Sequence, residues 1–434
     1  MTPNQILSIL NDTEVLILGG GRGERLFPLT AERAKPAVPI AGNFRLISLP
    51  VSNAFNSGLH HCSIFTQYED VSLKRSIRNM SARCGRNESI SVLSPRLRGK
   101  EPQFFLSDGH CLTLYQDVIR RSGARIIVVT MADQLMKMNF LGPILSLIES
   151  DTKAVLVYKT VRTAEARRNL GVLEIDPKNK KILGMDEKPE SPREISARPG
   201  YCNANLAFYV FYADVFFEML AHMESSHDPD EPLSKTGIPF IIDHGAIGFD
   251  IADNAVPGAS AQEAQYFEDL GTLDRYFESA MSQCGSNPPF NFYSRGWPIF
   301  SSAKDPQSPA KIDGANIQSV LLGPNVILQR DINLADCVIS NGQQIGEKSR
   351  LKECVLLGGD RSFVGRGCWL YRVVLDKDVV VPDGTNLSPT SPPDDMVRYQ
   401  DIALTLKDNV PNPVPPILSD AGVLFIPKGY QFKK

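Results

Sequence analysis

"LILGGGRGERLFPLTAERAKPAVPI", residues 16–40, sets an aliphatic run against a cluster of glycines, three arginines and a Lys-Pro step. A strand ending in a Gly-rich turn offers backbone N–H groups to anionic oxygens, because glycine lets the main chain come close. Gly20, Gly21 and Gly23 provide that approach, and Arg22, Arg25 and Lys35 add cations. Arg contributes a bidentate fork and Lys a point charge, a combination suited to a polyphosphate. Pro36 stiffens the segment that carries Lys35. The stretch is not a P-loop, since no Gly-Lys-Ser/Thr follows, and Glu24 stops it from completing G-x-G-x-x-G. Read alone, it fits a strand and turn with solvated arginines equally well.

Outward from this loop, "EVLILG" (14–19), "CSIFTQ" (62–67), "ARIIVVT" (124–130), "KAVLVYK" (153–159) and "NLAFYVF" (205–211) read as strands. Helically spaced segments such as "LTLYQDVIRRSG" (112–123) and "FLGPILSLIES" (140–150) separate them. That alternation predicts crossover units and an α/β fold with a Rossmann-like, mostly parallel sheet. The Pro- and Ser-rich stretch from 285 has no sustained period and reads as a linker laid against a surface. Beyond it aliphatic residues return every six positions. Val320, Val326, Ile332 and Val338 form one row, and Leu322, Leu328 and Leu334 a second; after a slip come Ile345, Leu351, Leu357, Val364 and Leu370. Two rows in step predict a parallel β-helix, left-handed in the hexapeptide type, with each apolar side chain pointing inward. The expected organisation is a Rossmann-like α/β domain over 12–284, a linker over 285–311 and a β-helix with a C-terminal tail over 312–434. The last histidine is His244, so the repeat lacks the base of a hexapeptide acyltransferase.

A net charge of -3 with no Lys/Arg-rich run argues against a nucleic-acid partner. No apolar run reaches the roughly 20 residues of a membrane helix, and the N-terminus does not read as a secretory signal. The eight cysteines are scattered without C-x-x-C pairs, as expected of free thiols in a cytoplasmic protein.

"GGGRGERLFPLT…RAKPAVPIAGNFRLI" resembles the N-terminal signature of sugar-1-phosphate nucleotidyltransferases, and most of all the glucose-1-phosphate adenylyltransferase family. The likeness continues in "SNAFNSG", "TQY", "LGVLEID", "EKP", "EDLGTLDRYF" and "RGWPIFSSAKDPQSPAK". It implies an enzyme that joins ATP and glucose 1-phosphate into ADP-glucose and pyrophosphate, for glycogen or starch synthesis. By the same resemblance Arg22, Gly23, Arg25 and Lys35 would grip the triphosphate, with Gln67 nearby. Asp133 and Asp269 would hold Mg²⁺, and Gly171, Glu187, Lys188 and Asn205 would form the sugar-phosphate site. Arg33 and Arg45 match regulatory positions, and the assembly would be a homotetramer or heterotetramer, in the cytoplasm or, in a plant, the plastid stroma.

The chain departs from the family pattern at "SDGHC" (107–111), where the family has Gly-Thr-Ala-Asp-Ala, and at Phe105, which replaces an aromatic hydroxyl. Glu24, Glu32, Asp108 and Glu268 all add negative charge where anionic substrates or effectors are expected. A carboxylate beside a phosphate is costly. The sequence therefore leaves open three functions: the active adenylyltransferase, a catalytically impaired regulatory subunit, and a nucleotidyltransferase with a changed base or sugar.

Overall fold

The computed structural model describes residues 1–81, 89–95, 97–98, 101–102, 104–150, 152–226, 228–301, 307–389 and 414–432. Parts of the expected linker (302–306) and of the tail (390–413, 433–434) lie outside the described residues.

The first half is built on one large sheet. The strand Thr13–Leu18 pairs in parallel with His61–Phe65 on one side and Ile126–Met131 on the other, and His61–Phe65 pairs in parallel with Ser89–Leu93. Every residue of Thr13–Leu18 is buried, as expected where helices cover both faces. The expected strands are all present, as are the helix Leu141–Glu149 and, for 112–123, the short helices Asp108–Leu114 and Gln116–Arg121. The sheet is parallel-rich rather than parallel throughout. Tyr201–Tyr212 runs antiparallel to Ile126–Met131, Ala154–Arg162 and Val172–Ile175, which puts residues 171–172 and 204–205 side by side.

The second half is a parallel β-helix. Asn316, Asn333, Arg350, Trp369 and Asn386 stand in register on one flank, and Lys311, Ile327, Gln344, Phe363 and Val380 on another. The third flank carries Leu322, Ile339, Leu356, Leu375 and Ile426. Its interior holds Val326, Leu328, Ile332, Leu334, Ile345, Leu351, Val364 and Leu370, as the six-residue rows predict. Val338 and Leu357 are exceptions. They face outward with Val355, Val374 and Phe425 into an apolar layer shared with Tyr276, Phe277, Phe290 and Trp297. On this flank Cys337 and Ile339 point inward, so both faces are apolar and the period does not reveal which is inside.

The Pro-rich stretch is likewise more than a surface tether. Phe290, Phe292 and Trp297 are fully buried in that layer, and the Trp297 indole donates to Asn53 Oδ1 at 2.8 Å. Among the described residues no helix is long and apolar enough to cross a membrane.

Candidate active site

The carboxyl ends of Thr13–Leu18 and Ile126–Met131 open on a cleft of about 580 Å³, the place where open α/β sheets bind ligands. Its lining includes Gly19–Gly23, Arg25, Lys35, Gln67, Asp108 and Asp133. Gly23 has φ +68°, a conformation that disfavours side chains, and an added Cβ would stand 2.9 Å from Thr30 Cγ2. The Thr30 hydroxyl donates to the Gly23 carbonyl at 2.9 Å and closes the loop. At Gly20 an added Cβ would meet the Phe105 ring at 3.2 Å.

Gln67 fastens the two sides of the cleft mouth. Its Nε2 donates to the Gly20 carbonyl (2.6 Å) and the Phe105 carbonyl (3.0 Å), and its Oε1 accepts from Phe105 N (2.7 Å). The amide is engaged by main chain, so Gln67 shapes the loop. Phe105 is buried against Phe65 and Tyr115 and lines the cleft.

Arg25 and Lys35 converge on two carboxylates. Lys35 Nζ donates to Asp133 Oδ2 at 2.6 Å. The short ladder of Gln134–Met136 with Phe267–Asp269 pairs Gln134 with Asp269, which sets Asp269 beside Asp133. An added Cβ at Gly271 would lie 3.2 Å from both Arg25 Nη2 and Asp269 Oδ2, so that glycine lets the Arg25 fork approach. Burial raises the Asp269 carboxyl above its ordinary range and the Asp133 charge raises it further, while Lys35, Arg25 and Lys188 pull it down. Two hard carboxylates that repel each other in a partly buried cleft fit a divalent cation, which takes one or two carboxylates and fills its shell with water and phosphate oxygens. Among the described residues no group of three or more His, Cys, Asp and Glu gathers as a metal cage.

The remaining residues form the adjoining wall. An added Cβ at Gly171 would lie 3.1 Å from Glu187 Oε2 and 3.6 Å from Asn205 Cβ. Lys188 Nζ stands 3.5 Å from Glu187 Oε1. Asn205 is buried; its Nδ2 donates to Tyr209 Oη (2.8 Å) and its Oδ1 accepts from Ala207 N (3.1 Å). Each end of the Asn205 amide is thus anchored within the wall.

All four added carboxylates have partners. Glu24 is 76% exposed and turns toward Arg22, 3.7 Å away. Glu32 Oε2 accepts from Lys428 at 2.6 Å. Glu268 pairs with Arg275. Asp108 Oδ1 accepts from Gly109 N (2.9 Å) and Leu233 N (2.7 Å). The expected accumulation of uncompensated negative charge is therefore corrected: each charge is met by a cation or a backbone donor, none of them adjacent in sequence except Gly109.

Arg33 and Arg45 lie elsewhere, at the junction with the β-helix. Arg33 is 3% exposed, so it does not itself present a surface to an effector; Nη1 pairs with Asp376 Oδ2 at 2.8 Å, and Nη2 is buried without a partner. Arg45 donates to the Ala37 carbonyl at 2.5 Å, and burial beside Arg33 and Arg75 lowers it to about 10. Lys377, absent from the sequence reading, joins them; burial, Arg45 and Arg33 lower it to about 8. A lysine in a repeat turn gives no sequence signal of such surroundings.

A nucleotidyl transferase family model matches residues 14–285. Over 399 residues the chain is 30% identical to glucose-1-phosphate adenylyltransferase 2 of Pseudoalteromonas atlantica, covering 88% of this chain and 91% of that one. It is 32% identical over 383 residues to the glucose-1-phosphate adenylyltransferase of an Arthrobacter species (85% and 80% covered), and 29% identical over 424 residues to that of a Parafrankia species (95% and 97%).

Proposed function

Because the chain belongs to the nucleotidyl transferase family, among the glucose-1-phosphate adenylyltransferases, we propose that it transfers the adenylyl group of ATP to glucose 1-phosphate, giving ADP-glucose and pyrophosphate. The observation that carries this reading is the convergence of Lys35, Arg25, Asp133 and Asp269 at one end of the Gly20–Gly23 loop. A phosphate oxygen of the sugar phosphate attacks the α-phosphorus in line and pyrophosphate leaves; no covalent protein intermediate is needed, so positioning and charge neutralisation do the catalysis. The glycine loop with Arg22 and Arg25 holds the triphosphate. Lys35 carries positive charge to the reacting phosphates, Lys188 pairs with the sugar phosphate, and Glu187 accepts sugar hydroxyls. Asp133 and Asp269 would hold Mg²⁺, which neutralises phosphate charge when bound.

The impaired-subunit reading is not favoured: Glu24, Glu32, Asp108 and Glu268, which with Phe105 motivate it, each meet a cation or backbone donor within the chain. We assign the junction as a site for an anionic effector, with Arg45 and Lys377 as the reachable cations and Arg33 behind them. The reading also keeps a tetrameric assembly. Pyrophosphate release with glucose 1-phosphate, Mg²⁺ and each of ATP, UTP, dTTP, CTP and GTP tests the function. Release with ATP, lost in Lys188→Ala, supports it; silence with all five nucleotides from a folded protein contradicts it.

A further inference from the structure

Arg22 stands between Gly21 and Gly23 on the cleft loop, and its side chain is 68% exposed. An added Cβ at Gly21 would meet nothing within 4 Å, so the loop is unpacked on that side. Tyr68, which also lines the cleft, supplies an anchor. The Arg22 Nε–H donates to the Tyr68 hydroxyl at 3.2 Å, and the guanidinium carbon lies 5.2 Å from the centre of the Tyr68 ring. The Glu24 carboxylate is 3.7 Å from Arg22 Nη1, beyond hydrogen-bond reach. Tyr68 thus takes one N–H of Arg22 and leaves the terminal NH₂ groups for phosphate oxygens.

Tyr68 is itself held on several sides. Its ring lies within 7° of parallel to that of Phe104, with centroids 5.6 Å apart. On one side of it in sequence, the Gln67 amide bonds the main chain of Phe105 and the Gly20 carbonyl. On the other, the Glu69 carbonyl accepts from Ala34 N at 3.1 Å, next to Lys35. The 67–69 turn therefore has contacts to the glycine loop, to the segment before the helix Asp108–Leu114 and to the segment that carries Lys35.

We propose that Tyr68 is a positioning residue for the triphosphate site, its hydroxyl holding the Arg22 guanidinium in the cleft before the ligand arrives; this rests on the nucleoside triphosphate reading of the loop. A long, exposed arginine loses rotamer freedom when an anion fixes it, and a partner that restricts it beforehand lowers that cost.

The test is calorimetric titration of the full-length protein, with Mg²⁺, by ATP and by inorganic tripolyphosphate. Tyr68→Phe removes the hydroxyl and keeps a ring against Phe104, so its melting temperature should match wild type. It should bind both ligands about fivefold more weakly. The same change made in an Arg22→Met background should cost nothing further. Unchanged affinity in Tyr68→Phe overturns the proposal. So does a loss that persists in the Arg22→Met background, which would give the hydroxyl a role apart from Arg22. A loss for ATP alone overturns it too, by putting the hydroxyl on the nucleoside. Arg22→Met by itself separates the two levels. If it weakens both ligands while Tyr68→Phe does not, this inference alone fails; if Arg22→Met leaves both affinities unchanged, the triphosphate reading of Arg22 fails with it.

Discussion

The Lys35 ammonium and the Asp133 carboxylate, 98 positions apart in sequence, are joined by a hydrogen bond of 2.6 Å inside the cleft. The turn Lys35–Ala37 delivers one and the end of Ile126–Met131 the other. Lys35→Ala removes a fixed cation from the reacting phosphates, and losing one such contact typically costs about 10²- to 10³-fold. The expected result is a fall of that size in kcat/KM for pyrophosphate release with an unchanged melting temperature. A loss below about threefold would contradict the assignment of Lys35.

Glu24, by contrast, should matter little. It is exposed and paired with Arg22, which also donates to the Tyr68 hydroxyl at 3.2 Å. Such solvent-facing pairs are weak and screened. Glu24→Thr is expected to leave kcat and the KM for ATP within about threefold of wild type. A tenfold gain in affinity for ATP would mean that the carboxylate does repel the triphosphate.

Arg33 and Asp376 connect the two halves through a buried pair. Removing one partner strands a buried charge and typically costs about 3–5 kcal/mol, whereas replacing both by apolar residues is often neutral. Asp376→Ala should therefore destabilise the protein strongly, and Arg33→Met with Asp376→Leu should recover most of the loss. Denaturant unfolding of the two singles and the double measures this. A double variant as unstable as Asp376→Ala would show that the pair itself holds the junction.

Lys377 should give the junction a pH dependence. It faces Arg45, Arg33, Asp376 and Asp378, and titrates at about 8 in the folded protein, against about 10.4 in an unfolded chain. A lowered lysine makes the unfolded state bind more protons, so stability rises as pH climbs from about 8 toward about 10.4, with no contribution from this group below that window. Anion binding at the junction should run the other way and weaken above about pH 8 as Lys377 loses its charge. Melting curves and phosphate titrations of wild type and Lys377→Met measure both effects; a dependence that persists in Lys377→Met would assign it to another group.

Much of this site can be read in the sequence because its parts lie in short contiguous pieces. The loop 20–25 and Lys35 stand out in the local pattern, whereas Asp133, Asp269 and the Glu187–Lys188 step, each on a strand end or turn, are picked out only by the resemblance to the nucleotidyltransferase signature. What stays hidden depends on partners distant along the chain. Asp108 reads as a misplaced charge until Leu233 is beside it. Asn205 gives no sign in the sequence of its anchoring to Tyr209. Arg33 reads as a surface cation until Asp376 buries it. Val338 reads as inward-facing although it faces outward, because the flank that carries it is apolar on both sides.

The most direct test of the account is product detection: ATP, glucose 1-phosphate and Mg²⁺ incubated with wild type and with Asp133→Asn, and ADP-glucose followed by mass spectrometry. The account predicts ADP-glucose from wild type and its near-complete loss in Asp133→Asn with the fold retained. Equal ADP-glucose formation by the two proteins, or none from a folded wild type, would contradict it.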